Sequence, residues 1–230
     1  MTAHAADRMS WLPFGVELVV FDLDGTLYDD RVYLAEVDRT LARHLCVAHR
    51  ISDEVATRAV ADATSGGRHG FLNRMCDDLV LDPAAISEML KVMRAVEPEL
   101  EPFPWVGAVL RALRDNKVRV FVLTNGNRDQ QRRKLDSLGL STTLEPGTVV
   151  YAAEGRPKPD PEGLLQILRT TDIPAARSLF IGDHRVDQEC AAAAAVHFWY
   201  VAELVARTAG FIADAPPGRA VEARGVAEGA

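Results

Sequence analysis

The stretch Val19-Val20-Phe21-Asp22-Leu23-Asp24-Gly25-Thr26-Leu27 decides how this chain folds and where its chemistry lies. Val16 to Phe21 is a short apolar run with β-branched residues, the pattern of a strand buried on both faces. Such a strand should leave the interior through an apolar or neutral turn. Here it delivers two carboxylates one residue apart, followed at once by Gly25-Thr26. Withdrawing both from water costs on the order of several kcal/mol unless something positive lies between them. A bound divalent cation with a phosphate-bearing substrate is the economical explanation.

Outward from this stretch, similar apolar runs recur at 118–123, 148–151, 178–181 and 196–201. Helical patterns separate them. Val106 to Asn116 carries apolar residues at helical spacing. Arg128 to Leu138 is polar and charged with Leu135 and Leu138 on one side, and Pro161 to Thr170 opens with proline in its first turn. Strands alternating with helices predict a parallel sheet covered on both faces.

Residues 29–103 break the rhythm. They show no strong strand signal and read as helices at 32–45, 52–63, 71–79 and 83–96, with Ser52-Asp53-Glu54 and Asp82-Pro83 as helix starts. An insertion of this size between the first two strands should form a separate cap, with Glu97 to Pro104 as the proline-rich return. The loop Ser65-Gly66-Gly67-Arg68-His69-Gly70 is too glycine-rich to be structural filler. The expected divisions are 14–28 and 104–212 for the core, 29–103 for the cap, 1–13 as a loose leader and 213–230 as a flexible tail, with periodicity fading after Val205.

The chain has 230 residues, 48% hydrophobic and 26% charged, enough for one sizeable core plus a smaller module. A formal net charge of −7 argues against nucleic acid or an anionic membrane as the main partner. No stretch reaches the ~18 apolar residues of a membrane span. Cys46, Cys76 and Cys190 are odd in number and widely spaced, which fits reduced thiols in a cytoplasmic protein. His44, His49 and His197 read as packing or surface residues.

In doubly wound sheets, ligands bind beyond the carboxyl ends of the strands. Those ends read Asp22-Leu23-Asp24-Gly25-Thr26, Thr124-Asn125-Gly126-Asn127, Arg156-Pro157-Lys158-Pro159-Asp160 and Gly182-Asp183-His184-Arg185-Val186-Asp187. Carboxylates, a hydroxyl and a lysine converge on one edge. These four motifs, in this order, resemble the haloacid dehalogenase superfamily of aspartate-nucleophile phosphotransferases, in its helical-cap branch. The resemblance implies a doubly wound Rossmann-like α/β core with an inserted α-helical cap domain. It also implies a Mg²⁺-dependent phosphatase acting on a small phosphorylated metabolite.

Carried over by motif, Asp22 would attack phosphorus and hold Mg²⁺ through its other oxygen. Asp24 would exchange protons with the leaving alcohol and the attacking water, and bind the metal through its backbone carbonyl. Thr124, with the backbone around Asn125, would bind phosphate oxygens. Lys158 would neutralise phosphate and nucleophile. Asp183 would complete the metal site, and Asp187 would orient Lys158. Mg²⁺ keeps several waters, so few protein ligands suffice. Arg68, His69 and Arg74, in or beside the glycine-rich loop, are candidate substrate contacts.

The chain departs from the family pattern at Ala195, where a glycine is usual, and at the bulky His184 and Arg185. A sugar-phosphate mutase would share every core residue. A non-catalytic phosphometabolite-binding module would be expected to have lost at least one of Asp22, Asp24, Lys158 or Asp183. The expected assembly is a monomer or a homodimer.

Overall fold

A computed structural model describes residues 9–13 and 15–213. Five strands form one parallel sheet: β1 (Leu18–Phe21), β2 (Arg119–Thr124), β3 (Val149–Tyr151), β4 (Ser178–Gly182) and β5 (His197–Tyr200), in the order β3-β2-β1-β4-β5. β1 is central. It pairs Phe21 with Val122 on one side and with Ile181 on the other, so β1, β2 and β4 end nearly level. The sequence wound outward from β1 in both directions, and this brings the four motif-bearing strand ends to one edge.

The period-2 alternation of strands divides the core into two apolar layers. Val19 and Phe21 face one way, onto Val109 and Leu113 of α5 (Val106–Asp115), Leu135 of α6 (Arg128–Ser137) and Leu204 of α9 (Val201–Ala213). Leu18 and Val20 face the other, onto Leu164 and Ile167 of α7 (Glu162–Thr171) and Cys190 of α8 (Arg185–Ala193). Both layers are sealed from water, which is why β1 reads as a continuous hydrophobic run.

Four helices fill the insertion between β1 and β2 where a cap is expected: α1 (Asp30–His49), α2 (Asp53–Ser65), α3 (Phe71–Asp78) and α4 (Ala84–Arg94). α1 starts where the Asp29 side chain accepts from the Arg31 N–H, and ends at Arg50 in the left-handed region. Its buried Tyr33, Val37, Leu41 and Leu45 recur at the spacing of one helix face. They are continuous with the core's first apolar layer. The chain returns through a bridge between Tyr28 and Pro102.

Two readings are corrected. Periodicity does not fade after Val205: α9 runs to Ala213, with Leu204 and Thr208 fully buried and Phe211 packed against the core. Its small residues, Ala206, Ala209 and Gly210, diluted the apolar signal without breaking the spacing. The leader is not loose throughout. Trp11 is buried and its ring lies 6.3 Å from that of Phe211, so the segment before β1 packs against the last turns of α9. Residues 1–8 and 214–230 lie outside the described residues.

Candidate active site

Asp22 follows β1 directly, and its backbone N–H donates to the Ile181 carbonyl, continuing the β-ladder. Its side chain is almost wholly buried. Opposite it, Lys158 Nζ donates to Asp22 Oδ1 at 2.5 Å and to Asp187 Oδ1 at 2.6 Å. The other oxygen of Asp187 accepts from the backbone N–H of His184, fixing this carboxylate at the start of α8. One buried ammonium thus bridges two buried carboxylates.

One lysine does not neutralise this cluster. Asp22, Asp183 and Asp187 each bring an oxygen within 4.8 Å of the others. Burial pushes the Asp22 carboxyl up to about 7, with Lys158 opposing and Asp187 and Asp24 adding to the rise. Burial, then Asp187, also raises Asp183. An all-oxygen donor set with surplus negative charge suits a hard divalent cation such as Mg²⁺. Room for Asp183 depends on Gly25, whose φ is +73° and on which a Cβ would stand 2.4 Å from Asp183 Oδ2.

The side chain of Asp24 turns away from this cluster. It accepts from Lys134 Nζ at 2.6 Å, from Gln131 Nε2 at 2.5 Å and from the Tyr28 hydroxyl. Burial alone would raise its pKa. The charge of Lys134 and the three donors outweigh burial and hold it below the usual carboxylate value. Lys134 also lies 3.9 Å from the ring centre of Tyr33 in the cap, close enough for a cation–π contact. Gln131 Nε2 donates to Thr124 Oγ1 as well, tying the hydroxyl of the second motif to the Asp24 cluster.

The side chain of Asn125 holds the lysine-bearing loop. Its Oδ1 accepts from the Lys158 backbone N–H at 2.7 Å and its Nδ2 donates to the Lys158 carbonyl at 2.9 Å. This paired contact commits the amide group to the lysine loop.

The cap residues separate. Arg68 Nη2 is bound to both oxygens of Asp38 on α1 at 2.5 and 2.6 Å. Arg74 is spent on backbone: it donates to the carbonyls of Ala63, Gly67 and His69, closing the end of α2 and the glycine-rich loop. His69 is exposed. Arg68 also lies 5.4 Å from the ring centre of Phe71.

Sequence reasoning missed Tyr28, Gln131 and Lys134. Gln131 and Lys134 stand three residues apart and so share a helix face, and both are buried despite their polarity. Only the convergence of α6 with the strand ends shows that this face meets Asp24.

A family model described as haloacid dehalogenase-like hydrolase matches residues 16–195. Phosphoglycolate phosphatase from Cupriavidus necator is 30% identical over 194 residues, covering 77% of this chain and 77% of its own length. Phosphoglycolate phosphatase from Pseudomonas savastanoi is 29% identical over 185 residues, covering 78% of this chain and 67% of that protein. A haloacid dehalogenase family hydrolase from Deinococcus radiodurans, solved with bound phosphate and sodium, superposes with a TM-score of 0.59 at 20% identity. The match covers 81% of this chain and 80% of that one. This chain belongs to the haloacid dehalogenase-like hydrolase family. Within it, the chain is a phosphoric monoester hydrolase, similar to phosphoglycolate phosphatases at about 29% identity. Among the described residues, no helix is long and apolar enough to cross a membrane.

Proposed function

We propose that the chain is a Mg²⁺-dependent phosphatase that hydrolyses a small phosphorylated metabolite through an aspartyl-phosphate on Asp22. The observation that carries this reading is Lys158, buried and shared between Asp22 and Asp187 beside the further carboxylate of Asp183. Asp22, Asp183 and the backbone carbonyl of Asp24 would hold Mg²⁺, which supplies charge neutralisation of the phosphoryl oxygens and of the acidic cluster.

Among the described residues Asp22 Oδ2 takes no hydrogen bond, while Oδ1 is held by Lys158. One oxygen is thereby fixed while the carboxylate attacks phosphorus, and the P–O bond to the leaving alcohol breaks. Asp24 enters this step protonated and gives that oxygen its proton; the carboxylate so formed, which Lys134 favours, then removes a proton from the water that attacks phosphorus and frees Asp22. Lys134, Gln131 and Tyr28 hold Asp24 in place for both transfers. Thr124 and the backbone after β2 contact phosphate oxygens, and the ammonium of Lys158 offsets the charge gathering on them.

Phosphoglycolate is the first substrate to examine, because the curated relatives at 29–30% identity carry that name. The test is inorganic phosphate release from a panel of phosphorylated metabolites with Mg²⁺. Steady release at the expense of one compact phosphoester supports the reading, whereas isomerised sugar phosphate without release would make the chain a mutase. Asp22→Asn should abolish turnover and leave the metal-free protein no less stable, since it removes a buried acid that resists ionisation. Retained turnover in that variant would dismiss Asp22 as the nucleophile.

A further inference from the structure

A second group of metal-ligating side chains lies in the cap, apart from the carboxylate centre. His44 and His49 on α1 and Glu88 on α4 each bring a ligand atom within 4.8 Å of the others. The two imidazole rings meet edge to face with centres 5.7 Å apart. Their Nε2 atoms are both buried, and neither has a hydrogen-bonding partner among the described residues. A buried polar nitrogen without a partner is costly, and here two lie near the end of one helix. His49 is also the final residue of α1, where the carbonyl end of the helix favours positive charge.

We propose that His44, His49 and Glu88 form a site for a borderline transition-metal ion of the Zn²⁺ class, completed by water. Two imidazole nitrogens and one carboxylate are the donors such an ion takes with a fourth position left to solvent. The same donors suit Mg²⁺ poorly, since it demands oxygen ligands. The chain thus carries two metal centres sorted by donor chemistry: oxygen ligands at the strand ends and nitrogen ligands in the cap. An ion held there would tie the end of α1 to α4, clamping the cap's first helix to its last. It would satisfy both orphaned nitrogens at once.

The test is titration of the full chain, freed of metal with a chelator, with Co²⁺ as a spectroscopic stand-in for Zn²⁺. Excess Mg²⁺ is kept present so that the carboxylate centre is already filled. One equivalent should bind with the visible bands of a four- or five-coordinate ion. Zn²⁺ should displace it and raise the melting temperature. His49→Gln should weaken binding at least tenfold and Glu88→Gln, at an exposed position, several-fold, with metal-free melting unchanged in the latter. Co²⁺ that fails to saturate in the presence of Mg²⁺ would overturn the site. So would one equivalent bound with unchanged affinity by the His44→Gln/His49→Gln double variant.

Discussion

Lys134 and Lys158 are buried amines doing opposite jobs on carboxylates two positions apart. Lys158 bridges the proposed nucleophile to Asp187, and Lys134 anchors the proposed acid–base residue Asp24. Burial would strip a lone lysine of its proton, but Asp22 and Asp187 overcome burial and keep Lys158 charged. For Asp24 the attraction to Lys134 and three hydrogen bonds keep the carboxylate ionised, ready to accept a proton from water. Lys134→Met is therefore expected to lower kcat by roughly 10–100-fold with little change in KM, because Lys134 positions Asp24 without touching the phosphate. Asp24 is a third exposed, so the stability loss should be about 1–2 kcal/mol, below that of a fully buried pair. A larger effect on KM than on kcat would place Lys134 against the substrate instead.

At the scale of the element, α6 shows how a polar helix can be interior. Gln130 donates to the Tyr33 hydroxyl and to the Met93 carbonyl of the cap, Gln131 and Lys134 reach Asp24, and Ser137 Oγ accepts from the Leu100 N–H. Its polar face is the seam between cap, core and site. The turn feeding it has no room for a side chain at Gly126, where a Cβ would stand 2.3 Å from Gln131 Cδ. After α8, Ala195 holds φ at +56°, the left-handed region in which alanine is strained. That is the position where the family resemblance calls for glycine. Ala195→Gly should accordingly stabilise the protein by about 1 kcal/mol, read as a raised midpoint in urea. A lowered midpoint would mean that the alanine methyl contributes more packing than its backbone strain costs.

The strands and the four motifs were legible because each is local: an apolar run, then a charged turn. The pairing of Asp22 with Lys158 was legible only through the resemblance, which implies a lysine that neutralises the nucleophile. What was not legible depends on rotation about helix axes. Gln131 and Lys134 each stand four residues before a buried leucine, Leu135 and Leu138, and so share that face, but spacing alone does not say that the face meets Asp24. Arg74 likewise looks like a free cation in sequence and proves to be consumed by three carbonyls of its own loop. The spacing of α9 was present in Leu204, Thr208 and Phe211, but hidden among alanines and a glycine.

Across the whole molecule, cap and core share one apolar cluster, running from Leu41 and Met75 through Tyr28 to Val109 and Leu179. The acidic centre lies at the edge of this cluster, and its charge couples to the stability of the whole chain. Asp22 and Asp183 are both raised by burial in the folded state. A raised carboxyl means that the folded chain binds more protons than the unfolded one. Without metal, this contribution therefore falls as pH rises from about 4 towards about 7. A divalent cation needs the carboxylates ionised and reverses the trend. The rise in melting temperature on adding Mg²⁺ should thus be small at pH 5.5 and grow up to pH 8, as measured by scanning calorimetry with and without chelator. A Mg²⁺ effect independent of pH would place the ion elsewhere.

The most direct measurement is the chemical state of residue 22 during turnover. Enzyme mixed with Mg²⁺ and an aryl phosphate that it hydrolyses, whose leaving group departs without a proton, and using Asp24→Asn to slow release, is quenched and reduced with borohydride, which converts a phosphorylated aspartate to homoserine. Peptide mass spectrometry should then find the change at Asp22 alone. Phosphate released by the wild-type enzyme while residue 22 stays unmodified in the quenched variant, or the modification at another acid, would contradict the account.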